Sequence, residues 1–291
     1  MILISVKRAA LIGAALFFFK ATLAVSAESK LKKAETSKDI IEKAYNLSLQ
    51  KDRSQAINIL VSAIKQENAR NGNTQELKKA LQQVSYLFYS DRAQQAYELA
   101  LSLRRTDLGQ ALQKMNEAIR MEADNLTLFN EMQRMILIKG DCSAALESIT
   151  KERVQDSFDE NLILLQAQAQ ACLNQWEEFK KTRDLFDTKK SNQAKYWQAL
   201  EIEYAFYEKS PGRAKEMILG LQKLDEKYPE LNYWQWRVAS SVEKPAFAQK
   251  YLKECKNMSA TLYRQYMTDV NLCRRVAEVE TAAKNSNGTN E

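Results

Sequence analysis

Four cysteines, Cys142, Cys172, Cys255 and Cys273, are the side chains of this sequence best placed to do covalent chemistry. None stands in a C-x-x-C spacing, which counts against a thiol oxidoreductase. An even number in an exported chain suggests disulfides, and four cysteines allow about three pairings. The helical layout below favours Cys142 with Cys172 and Cys255 with Cys273, because each pair then lies near the ends of adjacent helices. The other reading is four buried thiols serving as small apolar residues.

Acid–base and metal chemistry have little to work with. The sequence contains no histidine, which removes Ser-His-Asp and Cys-His catalysis, the usual zinc sites and the commonest general base. Carboxylates remain in principle, but Glu117/Glu122, Glu177/Glu178 and Glu201/Glu203 are spaced as on solvated helix faces. Only 7 glycines are scattered through the chain, and they form no phosphate loop. These observations point to a protein that is not an enzyme, with no cofactor and no metal.

The elements that must position these residues are helical. With 45% apolar and 27% charged residues in a chain of 291, and only 3 prolines, little material exists for strand turns. Residues 1–27 read as an export signal. Lys7 and Arg8 precede an apolar run from Ala9 to Phe19, and Val25-Ser26-Ala27 offers small residues for cleavage. That run is too short to span a bilayer by itself. Cleavage after Ala27 is one reading and an uncleaved N-terminal anchor is the other. Removing the segment takes away Lys7, Arg8 and Lys20 and no acid, and so halves the net charge of +6. Nothing then demands a polyanionic partner, and nucleic acid is excluded as one.

Residues 28–36 form a polar linker, and Ser37 is the expected N-cap of the first helix. Helix pairs follow at 38–50 with 54–68, 92–105 with 108–122, 125–139 with 142–151, 159–173 with 175–187, 191–209 with 211–227, and 230–242 with 245–256. A helix at 75–89 stands outside these pairs. A last helix is expected over 259–283, closing a helical domain of 37–283, and a disordered tail over 284–291. All four tryptophans lie between 176 and 236. Trp234 and Trp236 are about 200° apart around a helix, so they cannot share one core, and one of them must face outward.

The run Gly109–Asn125, with Ala111 and Ala118 flanking Met115, resembles the second helix of a tetratricopeptide-type hairpin. Trp197, Leu200 and Tyr204 followed by Ala214, Ile218 and Leu221 are similar to a whole unit of that family. Leu224–Pro229 resembles the unit end common in envelope members. The pattern departs from the family where Ala123 replaces a proline and where Gln133 and Glu201 replace small residues. The resemblance implies a degenerate tetratricopeptide-like α-solenoid with a C-terminal helix, whose first helices line a groove for a partner. By that carry-over the groove holds Tyr45, Asn130, Arg134, Lys195, Gln198, Ile202, Phe206 and Trp236. The function expected is a non-catalytic periplasmic scaffold for a protein or peptide of the bacterial envelope. The alternative is a membrane-tethered assembly factor held by residues 1–27.

Overall fold

In the computed structural model, the residues described are 35–155, 159–185 and 187–287. The proposed signal at 1–27, most of the linker and residues 288–291 lie outside them. Among the described residues there are fifteen α-helices and no strand. In order they are α1 (Ser37–Leu49), α2 (Arg53–Ala69), α3 (Gln75–Tyr86), α4 (Asp91–Leu103), α5 (Leu108–Met121), α6 (Leu126–Lys139), α7 (Cys142–Gln155), α8 (Glu160–Cys172), α9 (Trp176–Arg183), α10 (Ala194–Tyr207), α11 (Pro211–Leu224), α12 (Glu230–Val238), α13 (Lys244–Lys256), α14 (Ala260–Tyr266) and α15 (Val276–Asn287).

Local chemistry sets the helix ends. Thr36, rather than Ser37, caps α1: its Oγ1 accepts from the Asp39 N–H at 3.2 Å, and the Asp39 carboxylate accepts from the Thr36 N–H at 2.9 Å. This reciprocal pair satisfies donors that the first turn leaves open. Asp52, Ser90, Asp107, Asn125 and Asp159 cap α2, α4, α5, α6 and α8 in the same way through their side chains. Gly140 ends α6 with φ of 98°, a left-handed position that favours glycine. Pro211 opens α11, where its missing N–H costs nothing.

Packing follows the helix pairs. α1 lies on α2, α4 on α5, α7 on α8, α10 on α11 and α12 on α13. Beyond these neighbours α3 meets α6, α6 meets α8 and α8 meets α10, which makes a row. α3, outside the expected pairs, completes a small core with α1 and α2 built on Ala44, Ala56, Leu60, Ile64, Leu77 and Val84. Ala111, Met115 and Ala118 are fully buried between α4 and α6. The largest core is aromatic and lies over α8 to α13, where Trp197, Tyr228, Trp234 and Tyr251 are buried. No helix among the described residues is long and apolar enough to cross a membrane.

Both disulfides form as the layout favoured. Cys142–Cys172 joins the start of α7 to the end of α8, with Cα atoms 6.1 Å apart. Cys255–Cys273, with Cα atoms 5.5 Å apart, fastens α13 to a non-helical stretch. That stretch corrects the sequence reading. The helix expected over 259–283 is two helices, α14 and α15, separated by residues 267–275. Asp269 accepts from the Asn271 N–H at 2.7 Å, and Cys273 has φ of 56°. Such local side-chain bonds compete with helix formation. α15 also continues to Asn287, into the residues expected to be a disordered tail.

Candidate functional site

Residues 265–275 lie against side chains drawn from most of the later elements. Tyr196 on α10 donates to the Gln265 carbonyl at 3.2 Å, and Gln168 on α8 donates to the Thr268 carbonyl at 2.9 Å. Arg104, just after α4, donates to the Met267 carbonyl at 2.7 Å. Tyr228 donates to Asp269, and Arg274 donates to the Leu137 carbonyl at the end of α6 at 3.3 Å. The first-helix face expected to form an open groove is therefore crossed by the chain's own C-terminal segment.

The expected groove residues are distributed accordingly. Asn130 is buried and donates at 2.8 Å to the Tyr86 hydroxyl, which itself donates to Asp159 at 2.6 Å and accepts from Asn161 at 2.6 Å. This node ties α3, α6 and α8 together. Burial raises the pKa of both Asp159 and Tyr86. Arg134 pairs with Glu131 at 3.2 Å. Lys195 pairs with Asp225 at 2.9 Å and sits 4.4 Å from the Tyr266 ring centroid, holding α14 in place. Gln198 turns toward α11, donating to the Met217 carbonyl at 3.0 Å. Ile202 is fully buried in the aromatic core, and Tyr45 is exposed at the other end, donating to Gln83. These six do not make one surface.

Phe206 and Trp236 are linked through Arg237 and Tyr233. The Arg237 guanidinium lies 3.8 Å from the Phe206 ring centroid, and Trp236 packs on Tyr233 with centroids 5.7 Å apart. Lys244 lies 5.9 Å from the Trp236 ring. Tyr233, Trp236 and Arg237 are three and four apart on α12, which puts them on one face. Trp234 points the opposite way into the core, donating to Glu203 at 2.6 Å. The result is a half-buried aromatic ledge edged by two cations.

Sequence reasoning missed a buried charged centre beside this ledge. Arg275 donates to Glu230 at 3.0 Å and also to Glu203. Fully buried Glu230 accepts in addition from the Cys273 N–H at 2.6 Å and the Tyr251 hydroxyl at 3.1 Å. Burial pushes the Glu230 pKa up to about 7 against the lowering effect of Arg275. The same cause raises Asp269. The adjoining cavity between Tyr196, Glu203, Trp234 and Asp269 is about 10 Å³, room for a single water and no substrate. Glu230 and the Cys255 and Cys273 sulfurs lie within 4.8 Å of one another, but the disulfide occupies both sulfurs.

The carboxylates read as solvated divide into two groups. Half-buried Glu117 and exposed Glu177 and Glu178 pair with Lys114, Lys180 and Lys181. Glu201 bridges Arg183 at 2.9 Å and Arg213 at 3.0 Å, linking α9 to α11. Glu122 and Glu203 correct the expectation, since neither stands on a solvated face. Glu122 is buried and receives Arg53 at 2.9 Å, with its pKa lowered by bonds from Arg53 and Asn125 that outweigh desolvation. The signal for both lay in arginines distant in sequence, which helical periodicity does not reveal. No protein-family model, curated protein or solved structure matches the chain.

Proposed function

We propose that the protein is an exported, non-catalytic, tetratricopeptide-like scaffold that binds a protein or peptide partner of the cell envelope. The row α3, α6, α8 and α10, with fully buried alanines such as Ala111, Ala118, Ala167 and Ala214, supports a stacked helical-repeat arrangement. Two disulfides support an oxidising compartment such as the periplasm.

The ledge of Phe206, Tyr233, Trp236 and Arg237 carries the reading. Aromatic and arginine side chains are the types that dominate binding energy at interfaces, because they bury area while losing little freedom. Here Phe206 and Trp236 are half-exposed, Arg237 is exposed and Tyr233 is buried beneath them, all on helices α10 and α12. The C-terminal segment covers the first-helix positions around Gln168 and Tyr196 and leaves Phe206 and Trp236 partly exposed, so the partner docks on this ledge.

Affinity capture from envelope extracts tests the proposal, with the unaltered protein compared against a Phe206→Ala/Trp236→Ala variant. A partner retained by the first and lost by the second is the expected result. Equal retention by both proteins, or no retention by either, overturns it.

A further inference from the structure

A second concave site lies on the other side of the closing segment. It is a cleft of about 330 Å³ between the α4–α5 turn, the end of α13 and the residues around Cys273. That volume falls within the range of small-molecule sites, about 300–1,000 Å³. Its floor is apolar, made by Ile138, Met258, Val270, Leu272 and Val276, and the Cys255–Cys273 disulfide forms part of its wall.

The rim is cationic. Arg105 and Arg274 are exposed and line the cleft, and neither has a carboxylate partner among the described residues. Each guanidinium carries five N–H donors. Arg105 spends two of its donors, on the carbonyls of Met258 at 2.5 Å and Cys255 at 3.1 Å. Arg274 spends one, on Leu137 at 3.3 Å. Arg104, buried beside them, leaves its Nε without an acceptor. Lys256 adds a fourth cation, paired with Glu280 at 2.6 Å. One carboxylate reaches the cleft, that of Asp269, and it is engaged by Tyr228 and the Asn271 N–H.

We propose that this cleft binds an aliphatic carboxylate, its head group held by Arg105 and Arg274 and its hydrocarbon chain laid on the apolar floor. The carbonyls at the cleft favour such a ligand over a peptide. Those of Cys255, Met258 and Leu137 each already accept from one of the two arginines, so a peptide's amide N–H groups would have to share acceptors with them. A hydrocarbon chain needs none. This site is separate from the aromatic ledge, and either can fail without the other.

Titration calorimetry of the disulfide-bonded protein with decanoate, and with decanol as the uncharged counterpart, tests the proposal. Decanoate is expected to bind and decanol to bind about tenfold more weakly, the worth of a charge-assisted guanidinium contact. Arg274→Gln should reproduce that loss for decanoate and leave decanol unchanged. Arg105→Lys, which keeps the charge but not the fork, should lie between. Equal binding of decanoate and decanol overturns the proposal, as does absence of decanoate binding. Preference for an acetylated tripeptide acid ending in leucine would also overturn it, by assigning the cleft to protein chain ends.

Discussion

Two arginines, buried Arg53 and largely buried Arg275, organise the two halves of the molecule, and they do so differently. Arg53, fully buried at the start of α2, reaches Glu122 at 2.9 Å, Asp124 at 2.7 Å and the Leu87 carbonyl, and lies 4.3 Å from the Tyr89 ring centroid. It fastens the start of α2 to the turn after α5, 69 to 71 residues further along the chain but within the same half. Arg275 instead belongs to the end of the sequence and fastens that end to α10 and α12 through Glu203 and Glu230. The N-terminal half is closed by successive helices. The aromatic half is closed by a strap that arrives last.

The sharpest way to break the first half is Arg53→Met. It strands Glu122 as a buried charge without its counterion, and urea denaturation should register a loss of about 3–5 kcal/mol. Arg275→Met should cost less, about 2–4 kcal/mol, because its side chain, unlike that of Arg53, retains some exposure. Its second signature separates the halves: amide exchange should accelerate over residues 267–276 and stay unchanged over α1–α5. Uniform acceleration would refute the division.

The disulfides sharpen the same contrast. Cys255→Ser/Cys273→Ser removes a bridge across a sequence separation of 18 and should lower stability by about 3 kcal/mol. The strap should become sensitive to protease, whereas Cys142→Ser/Cys172→Ser should leave it protected.

The smallest effect concerns pH. Glu230 has a folded pKa raised above its unfolded value, by burial, while Arg275, Tyr251 and the Cys273 N–H oppose the rise and Asp269 and Glu203 lie nearby. An acid shifted upward binds its proton more tightly in the folded protein. Its contribution is therefore complete below about pH 4.5 and is lost as pH rises through about 7, by about 1–3 kcal/mol. Thermal unfolding should show Glu230→Gln flattening that slope between pH 5 and 8. An unchanged slope would assign the dependence to another group.

Much of the helical framework could be read from the sequence because its causes are local. Ser210-Pro211-Gly212 and Lys139-Gly140-Asp141 mark turns by their own chemistry, and Ala111 and Ala118 mark a close helix approach. The argument that Trp234 and Trp236 face opposite ways also needed only helix geometry, and one is buried and the other half-exposed. The break at 267–275 was not legible. Met267 to Arg275 contains neither proline nor glycine, and its conformation is imposed by partners as distant as Leu137 and Gln168. The expected groove residues other than Phe206 and Trp236 lie apart for the same reason. Periodicity identifies which helix a residue is on, but here the occupant of the shared face came from elsewhere in the same chain.

The strap has a consequence for the order in which the molecule can be made. During synthesis the N-terminal helices emerge first and can pair as neighbours, α1 with α2 and α4 with α5. The aromatic half must wait for Asp269, Cys273 and Arg275 to complete the bonding of Tyr228, Glu203 and Glu230. A stop codon shortly after Lys256 would remove few residues and no tryptophan. It would nonetheless yield a protein with a finished front and a permanently unfinished back, one that quality-control proteases would recognise by its exposed rings.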